Sequence, residues 1–434
     1  MSASFAAGAP RNRTLAALQV RNFRLYIIGQ TISQAGTWMQ AIGQGWLVLR
    51  LTGSGTALGI VIACQALPVL FFAPAGGLLV DRVDKQKLLI ITQVLSGVLA
   101  LVLWALTATD TVEVWMVYGL ALMLGFVLVF DNPVRQSMPI ELVGPDLLTN
   151  AVSLNNINFN VSRVFGPALA GVTIRQFGIS PCFLLNGVTY VTVVIALLML
   201  RTEELHIQPR QARARRQVRE GMRYVWRTPQ LRVPVILMFV VGMLTYETAV
   251  TLPLLAKDTF KGGAGTYSLF TAAMGLGAVI VGLGYAARMN VTRGLLLRVT
   301  VVLGAFMFVC AVAPTQGIEL AALVALGGAS VTFLVAANAT LQLATPPEMR
   351  GRVLALWSMA FMGSTPIGGP IVGWIGQHVG PRWSMFVGGA GPVIAAAVAW
   401  PLLARLHGGL NIGSSPATAV AAAEAAAAGD DSDR

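Results

Sequence analysis

Arg210-Gln211-Ala212-Arg213-Ala214-Arg215-Arg216-Gln217-Val218-Arg219-Glu220-Gly221-Met222-Arg223-Tyr224-Val225-Trp226-Arg227 forms the heart of a polar stretch, 201–232, the only long one in the chain's interior. On both sides of it, apolar segments of roughly 20 residues recur, separated by short polar or basic breaks. At about 1.5 Å per residue, each matches a hydrocarbon core of ~30 Å. Six precede the stretch, near 24–49, 56–80, 87–108, 113–133, 151–176 and 182–200. Six follow it, near 232–256, 266–287, 295–313, 319–343, 353–377 and 383–404. Of the 434 residues 56% are hydrophobic and 11% charged, against about 25% charged in soluble domains. A segment facing lipid must satisfy its own backbone hydrogen bonds, so each is a helix. This predicts an all-α membrane protein with twelve transmembrane helices in two pseudo-symmetric six-helix bundles. The boundaries read as an N-terminal segment 1–22, a first bundle 23–200, a basic linker 201–231, a second bundle 232–405 and a disordered tail 406–434.

The formal charge of +12 raises the question of a nucleic-acid partner, and its distribution answers it. With the N-terminus in the cytoplasm, the inner loops hold Arg11, Arg13, Arg21, Arg24, Arg82, Lys85, Lys87, Arg288, Arg293, Arg298 and the arginines of the linker. The outer loops hold Arg50, Arg175, Lys257, Lys261 and Arg382. That asymmetry is the positive-inside rule; it places both termini in the cytoplasm and excludes a nucleic-acid footprint. Gly221 to Arg227 reads as an amphipathic surface helix. Residues 1–18 show no signal-peptide pattern, so the first apolar helix is expected to be its own insertion signal. Cys64, Cys182 and Cys310 lack metal or disulfide spacing and read as packing residues. No metal or cofactor is expected.

The two halves repeat weakly. At an offset of 202, Gly166 falls on Gly368 and Gly171 on Gly373, in the fifth helix of each half. Parallel repeats of this size place a substrate site between the halves, near the midplane.

The loop after helix 2 reads Gly77-Leu78-Leu79-Val80-Asp81-Arg82-Val83-Asp84-Lys85-Gln86-Lys87. It resembles the G-x-x-x-D-R-x-G-R-R/K signature of the Major Facilitator Superfamily, with Asp84 in place of the second glycine. In the second half Gly284 is followed by Arg288, so that copy lacks the acid. Asp131-Asn132-Pro133-Val134-Arg135-Gln136-Ser137-Met138-Pro139, Ser162-Arg163-Val164-Phe165-Gly166-Pro167-Ala168-Leu169-Ala170-Gly171 and Arg350-Gly351-Arg352-Val353 resemble the enterobactin-exporter-like branch. The resemblance covers roughly 20–405. It implies a monomer in a bacterial inner membrane that expels siderophores, drugs or similar amphipathic molecules by proton antiport and alternating access. An importer or lipid transporter of the same fold is the alternative. Ser162, Gly166, Pro167, Ala170 and Gly171, with Gly368 and Gly373, form the helix-packing set; the five in helix 5 resemble the helix-5 antiporter motif, with every departure to a small residue. Helix 4 carries no R-x-x-x-G motif of the antiporter relatives.

Gly77, Asp81, Arg82, Lys85, Asp131, Arg135, Arg350 and Arg352 are the expected inner gate: Gly77 allows close helix approach, and Asp81 at the rim is available to basic partners. Charges within the bilayer are costly and usually functional. Arg163 lies near the middle of helix 5, on one face with Asn156 and Asn160. It must line the cavity or pair with an acid; the readings are binding or coupling, against a structural ion pair or hydrogen-bond anchor. Glu247, inside helix 7, is the expected proton site, since withdrawal from water favours a neutral carboxyl; a solvated acid near the outer mouth is the competing reading. Gln30, Gln34 and Thr37 head a polar stripe on helix 1 that is expected to face the cavity, joined by Gln65, Asn338 and Gln342. Tyr26, Trp38 and Trp46 are aromatic candidates for substrate contact or interfacial anchoring. The expected partners are thus a small molecule, protons and the lipid bilayer. No H-E-x-x-H, nucleophile elbow or P-loop occurs, which argues against an enzyme and against ATP as the driving force. A receptor would need a sizeable sensing domain.

Overall fold

A computed structural model describes residues 13–80, 82–206, 217–284 and 294–404. They fold into helices α1 (Arg21–Thr52), α2 (Gly55–Val80), α3 (Lys85–Ala108), α4 (Val114–Val143), α5 (Leu148–Phe177) and α6 (Ser180–Leu198), which form the first bundle. A short helix, α7 (Gln217–Arg227), precedes the second bundle of α8 (Pro229–Leu244), α9 (Thr248–Leu254), α10 (Ala264–Gly284), α11 (Leu295–Val312), α12 (Gln316–Leu343), α13 (Pro347–His378) and α14 (Pro381–Ala404). No strand occurs among the described residues. The face where α6 ends and α7 begins is the linker face, and the far face lies opposite.

The expected spans correspond one to one with these helices, except that the seventh is broken. Residues 232–256 read as a single helix, but α8 stops at Leu244 and α9 starts at Thr248, followed by a π-turn over Leu255–Thr259. The N–H groups of Thr245 and Tyr246 both turn back to the carbonyl of Val241, and the Thr245 hydroxyl donates to Gly388 O on α14 at 2.7 Å. Tertiary partners thus take over where the helical ladder lapses. The fourth helix continues to Val143, beyond the expected 133, with Pro133 and Pro139 inside it. Gly53 ends α1 in the left-handed region, where its N–H caps Leu49 O.

Among the described residues, nine spans are long and apolar enough to cross a membrane on their own, with α8 and α9 counted as one. The three that fall short, α1, α5 and α13, are 32, 30 and 32 residues long. Length is not what they lack; amides, hydroxyls and glycines dilute their apolar character, which suits helices that face protein more than lipid. Elsewhere apolar side chains point outward, as Ile91, Val94, Val98 and Leu101 do along α3 and Val188, Val191 and Ile195 along α6. In a soluble protein such stripes would be a liability.

Helix neighbours repeat between the bundles. In the first, α1 packs on α5 and α6, α2 on α4, and α3 on α4 and α6. In the second, α8 packs on α13 and α14, α10 on α12, and α11 on α12 and α14. Across the interface, α2 packs on α13 as α10 packs on α5. The repeated glycines sit at these joints. A Cβ at Gly166 would run into Trp38 and Ala35 of α1, and one at Gly368 into Met243 of α8, so the first glycine of each pair seats the first helix of its own bundle. A Cβ at Gly171 would press on Ser268 of α10, and one at Gly373 on the backbone of Gly55 in α2, so the second seats the second helix of the other bundle.

Glycines at the bundle interface lie on the far side of the molecule or at mid-depth. Gly55 and Gly59 of α2 meet Gly373 and Gly369 of α13, Gly45 of α1 meets Tyr267 of α10, and Gly275 meets the Arg163 backbone. Nearer the linker face, Gly363 meets Leu70. Ser54, at the far face, donates to Gln377 Oε1 at 2.6 Å and joins the two bundles there.

Candidate functional site

Two charged groups occupy the middle of the bundle interface. Arg163 leaves α5 where that helix crosses α10, and its guanidinium lies over the Trp38 ring of α1, 5.7 Å from the centroid. Phe159, one turn before it, meets Trp38 edge-on at 5.9 Å. From the other bundle Tyr246 lies within electrostatic range of the charge. Its hydroxyl donates to Ser330 O on α12 at 2.8 Å, and its ring stands edge-on to Phe361 of α13 at 5.6 Å. Arg163 Nε is buried without a hydrogen-bond partner, and no acid pairs with this arginine among the described residues. Of its companions on α5, Asn156 is exposed, and Asn160 is half-buried and donates to Asn156 O at 2.8 Å.

Glu247 follows Tyr246 in the break between α8 and α9 and is only 3% exposed. It is therefore shielded from solvent in this conformation, beside the crossing of α2 and α13. Thr365 of α13 lies near it, and the face of Gly369 lies against its Oε2. No basic group pairs with it among the described residues. The same turn of α13 meets Gly59 of α2 through Gly369, so the carboxyl sits beside a bundle-to-bundle joint.

Among the described residues, those expected at the inner gate make several separate contacts. Asp81 lies outside the described residues. Arg82 is exposed at the start of the α2–α3 turn. Gly77 is half-buried, and its neighbour Gly76 approaches α4 closely: a Cβ there would stand 2.5 Å from Val129 O. Lys85 pairs with Glu141 at 2.5 Å. Asp131 pairs with Arg135 at 2.6 Å and also accepts from Thr92 at 2.8 Å and Gln93 at 2.7 Å, while Arg135 reaches Gln30. All these bonds stay within the first bundle, tying α1, α3 and α4 together. Arg352 pairs with Glu220 at 2.8 Å, fastening α13 to α7, and Arg350 is exposed.

The polar stripe of α1 divides. Gln30 is completely buried, and its Oε1 serves Arg135, so it faces the first bundle's interior and not a cleft. Gln34 is half-buried with an unpartnered Oε1, and Thr37 is exposed, with its hydroxyl on Ser33 O at 2.9 Å. Farther along, Gln40 and Gln44 line a cavity of about 10 Å³ between α1, α3, α4 and α6, room for about one water. Helical rotation explains the division: a stripe spanning several turns winds from one neighbour to the next. Gln65 is half-buried, and Asn338 accepts from exposed Gln342 on the linker half of α12. Ser162, Pro167 and Ala170 are buried beside Gly166. Tyr26 is wholly enclosed in the first bundle and touches no cleft.

Sequence reasoning missed the partners of Asp131, which lie 38 and 39 residues back on α3. It also missed Glu319, fully buried in the first turn of α12 with neither carboxyl oxygen hydrogen-bonded among the described residues. An acid in a first helical turn reads as an ordinary favourable end charge. The signal for it was its position at the start of an otherwise apolar span.

Several known proteins are similar. The Multidrug efflux pump Tap of Mycolicibacterium fortuitum is 25% identical over 407 residues, 90% of this chain and 98% of Tap. The Enterobactin exporter EntS of Citrobacter koseri is 25% identical over 393 residues, 89% of this chain and 92% of EntS. The Staphyloferrin A transporter of Staphylococcus aureus is 32% identical over 168 residues, which span 38% of this chain and 42% of that protein. Among solved structures, the nucleoside transporter NupG superposes with a TM-score of 0.66 at 12% identity, covering 90% of this chain and 99% of NupG. A bacterial homologue of the iron transporter ferroportin, in an inward-facing state, gives 0.66 at 14% identity, covering 88% and 99%. These superpositions establish the shared fold. Residues 12–420 match the family described as transmembrane secretion effector, and the chain belongs to that family of Major Facilitator transporters.

Proposed function

We propose that this chain is a proton-coupled exporter of amphipathic small molecules that works by alternating access, with Glu247 as the group that takes up and releases the proton. The observation that carries the reading is the placement of Glu247: a carboxyl 3% exposed, without a basic partner among the described residues, in the break of the seventh span. Burying an unpaired carboxylate is costly, so a group so placed favours its neutral form when closed off and releases its proton when water reaches it. Its contact with α13 supports coupling to the rocking of the bundles, because α13 carries the joint to α2. The far-side crossings support reading the described conformation as open toward the linker face. The arginine-rich linker supports assigning that face to the cytoplasm. The multidrug and enterobactin relatives support export as the direction.

The test is a proteoliposome assay with an imposed pH gradient across a panel of siderophores and lipophilic cations. Proton movement on substrate addition, lost in Glu247→Gln, is the expected result. Normal coupling in that variant removes Glu247 from the mechanism, and net uptake in place of extrusion makes the protein an importer.

A further inference from the structure

Within the first bundle, Lys85 and Arg135 are set into the protein with side chains 15% and 22% exposed, and each faces a carboxylate. Arg163 breaks that pattern. It projects into the bundle interface with Nε buried and unsatisfied and no acid beside it among the described residues. A guanidinium keeps its charge across the physiological pH range, so it cannot relieve this by losing a proton, nor can it carry the exchanged proton itself. What it lacks is an acceptor, and the best match to its planar fork is an oxyanion held by two parallel hydrogen bonds. Its surroundings define the rest of the ligand. Trp38 and Phe159 approach from the first bundle, and Tyr246 and Phe361 from the second. Tyr246 spends its proton on Ser330 O, which leaves its oxygen able to accept. These rings suit a flat, apolar body.

We propose that Arg163, Trp38 and Tyr246 are the recognition point for an organic anion bearing an aromatic ring, with the anionic group on Arg163 and the ring among the four aromatics. The proposal rests on the transporter reading above and narrows its substrate class: aromatic carboxylates and like acids are taken in preference to lipophilic cations. Because the site is built from both bundles, it is complete only while they hold this relation, so it would loosen its ligand as they rock.

The test is equilibrium binding to the purified full-length protein in detergent, followed by quenching of tryptophan fluorescence, with three probes of nearly one shape. These are naphthalene-2-carboxylate, its neutral carboxamide and the corresponding naphthylmethylammonium. The carboxylate is expected to bind at least tenfold more tightly than the amide, and the ammonium more weakly than either. Arg163→Gln should bring the carboxylate-to-amide ratio close to one without lowering the melting temperature, and Arg163→Lys should keep part of the preference. A ratio near one in the unaltered protein, a ratio that survives Arg163→Gln, or stronger binding of the ammonium overturns the proposal. A drop in melting temperature with the ratio unchanged makes Arg163 a structural residue. If Arg163→Gln does not fold, the ranking of the three probes on the unaltered protein decides. The measurement needs neither a gradient nor Glu247, so Glu247→Gln should keep the preference, and failure of coupling there is distinguishable from failure here.

Discussion

Gly59→Ala offers the sharpest test of how the two bundles are held together. A Cβ built on Gly59 would lie 2.5 Å from Pro370 N and closer still to the Gly369 carbonyl. Ordinary van der Waals contact starts near 3.4 Å, so α2 and α13 must separate by about 0.9 Å or more at this point. The opposing atoms are backbone, so no side-chain rotation can absorb the added methyl. Overpacking of this kind costs roughly 1–3 kcal/mol, and it falls only on the conformation in which the far-face joint is shut. That corresponds to a shift of about 5- to 150-fold in the equilibrium between shut and open far faces. The assay is a pulsed electron spin resonance distance between labels at Arg50 and Val379, both exposed at the far face, in a background without Cys64, Cys182 and Cys310. The parent should give a short distance in the shut state, and Gly59→Ala should move most of the population to a longer one. Gly317→Ala, where nothing stands within 4 Å of the new Cβ, should leave the distribution alone. An unchanged distribution with unchanged transport in Gly59→Ala would refute the claim that this glycine joint seals the far face.

Two further outcomes concern buried charge. Arg135→Leu leaves Asp131, 1% exposed, with only Thr92 and Gln93 as donors, and should destabilise the first bundle by about 3–5 kcal/mol in a detergent unfolding titration. Adding Asp131→Asn should recover most of that loss, and parent-like unfolding of Arg135→Leu would mean the network contributes no stability. Glu319→Met replaces a carboxyl with no hydrogen bond among the described residues by an apolar chain of similar length, and should stabilise by about 1–3 kcal/mol. A lower melting temperature would show that Glu319 has a partner worth keeping, with Cys310 and Arg382 the nearest groups to examine.

Much of the architecture was legible because the bilayer imposes one simple demand. A span must be long, apolar and helical, so the twelve segments, their division at 201–232 and their pairing as repeats followed from length and composition. The 202-residue offset even picked out the glycines of the joints, since a missing Cβ inside an apolar helix has few uses other than close approach. Arg163 and Glu247 stood out for the same reason: charges in apolar spans are expensive.

Three-dimensional packing had to decide which neighbour each of these residues meets. Helical rotation, which no local pattern specifies to within one residue, set Gly76 against α4 and turned Gln30 toward Arg135. The break before Glu247 depends on Gly388, 143 residues away from Thr245. Asp131 looked like half of a local pair with Arg135 until α3 supplied its other partners and α1 supplied one for Arg135. Solvent cost is written in the order of the residues and can be read one segment at a time. The partner of a buried polar atom depends on distance across the bundle, and that exists only once the helices are assembled.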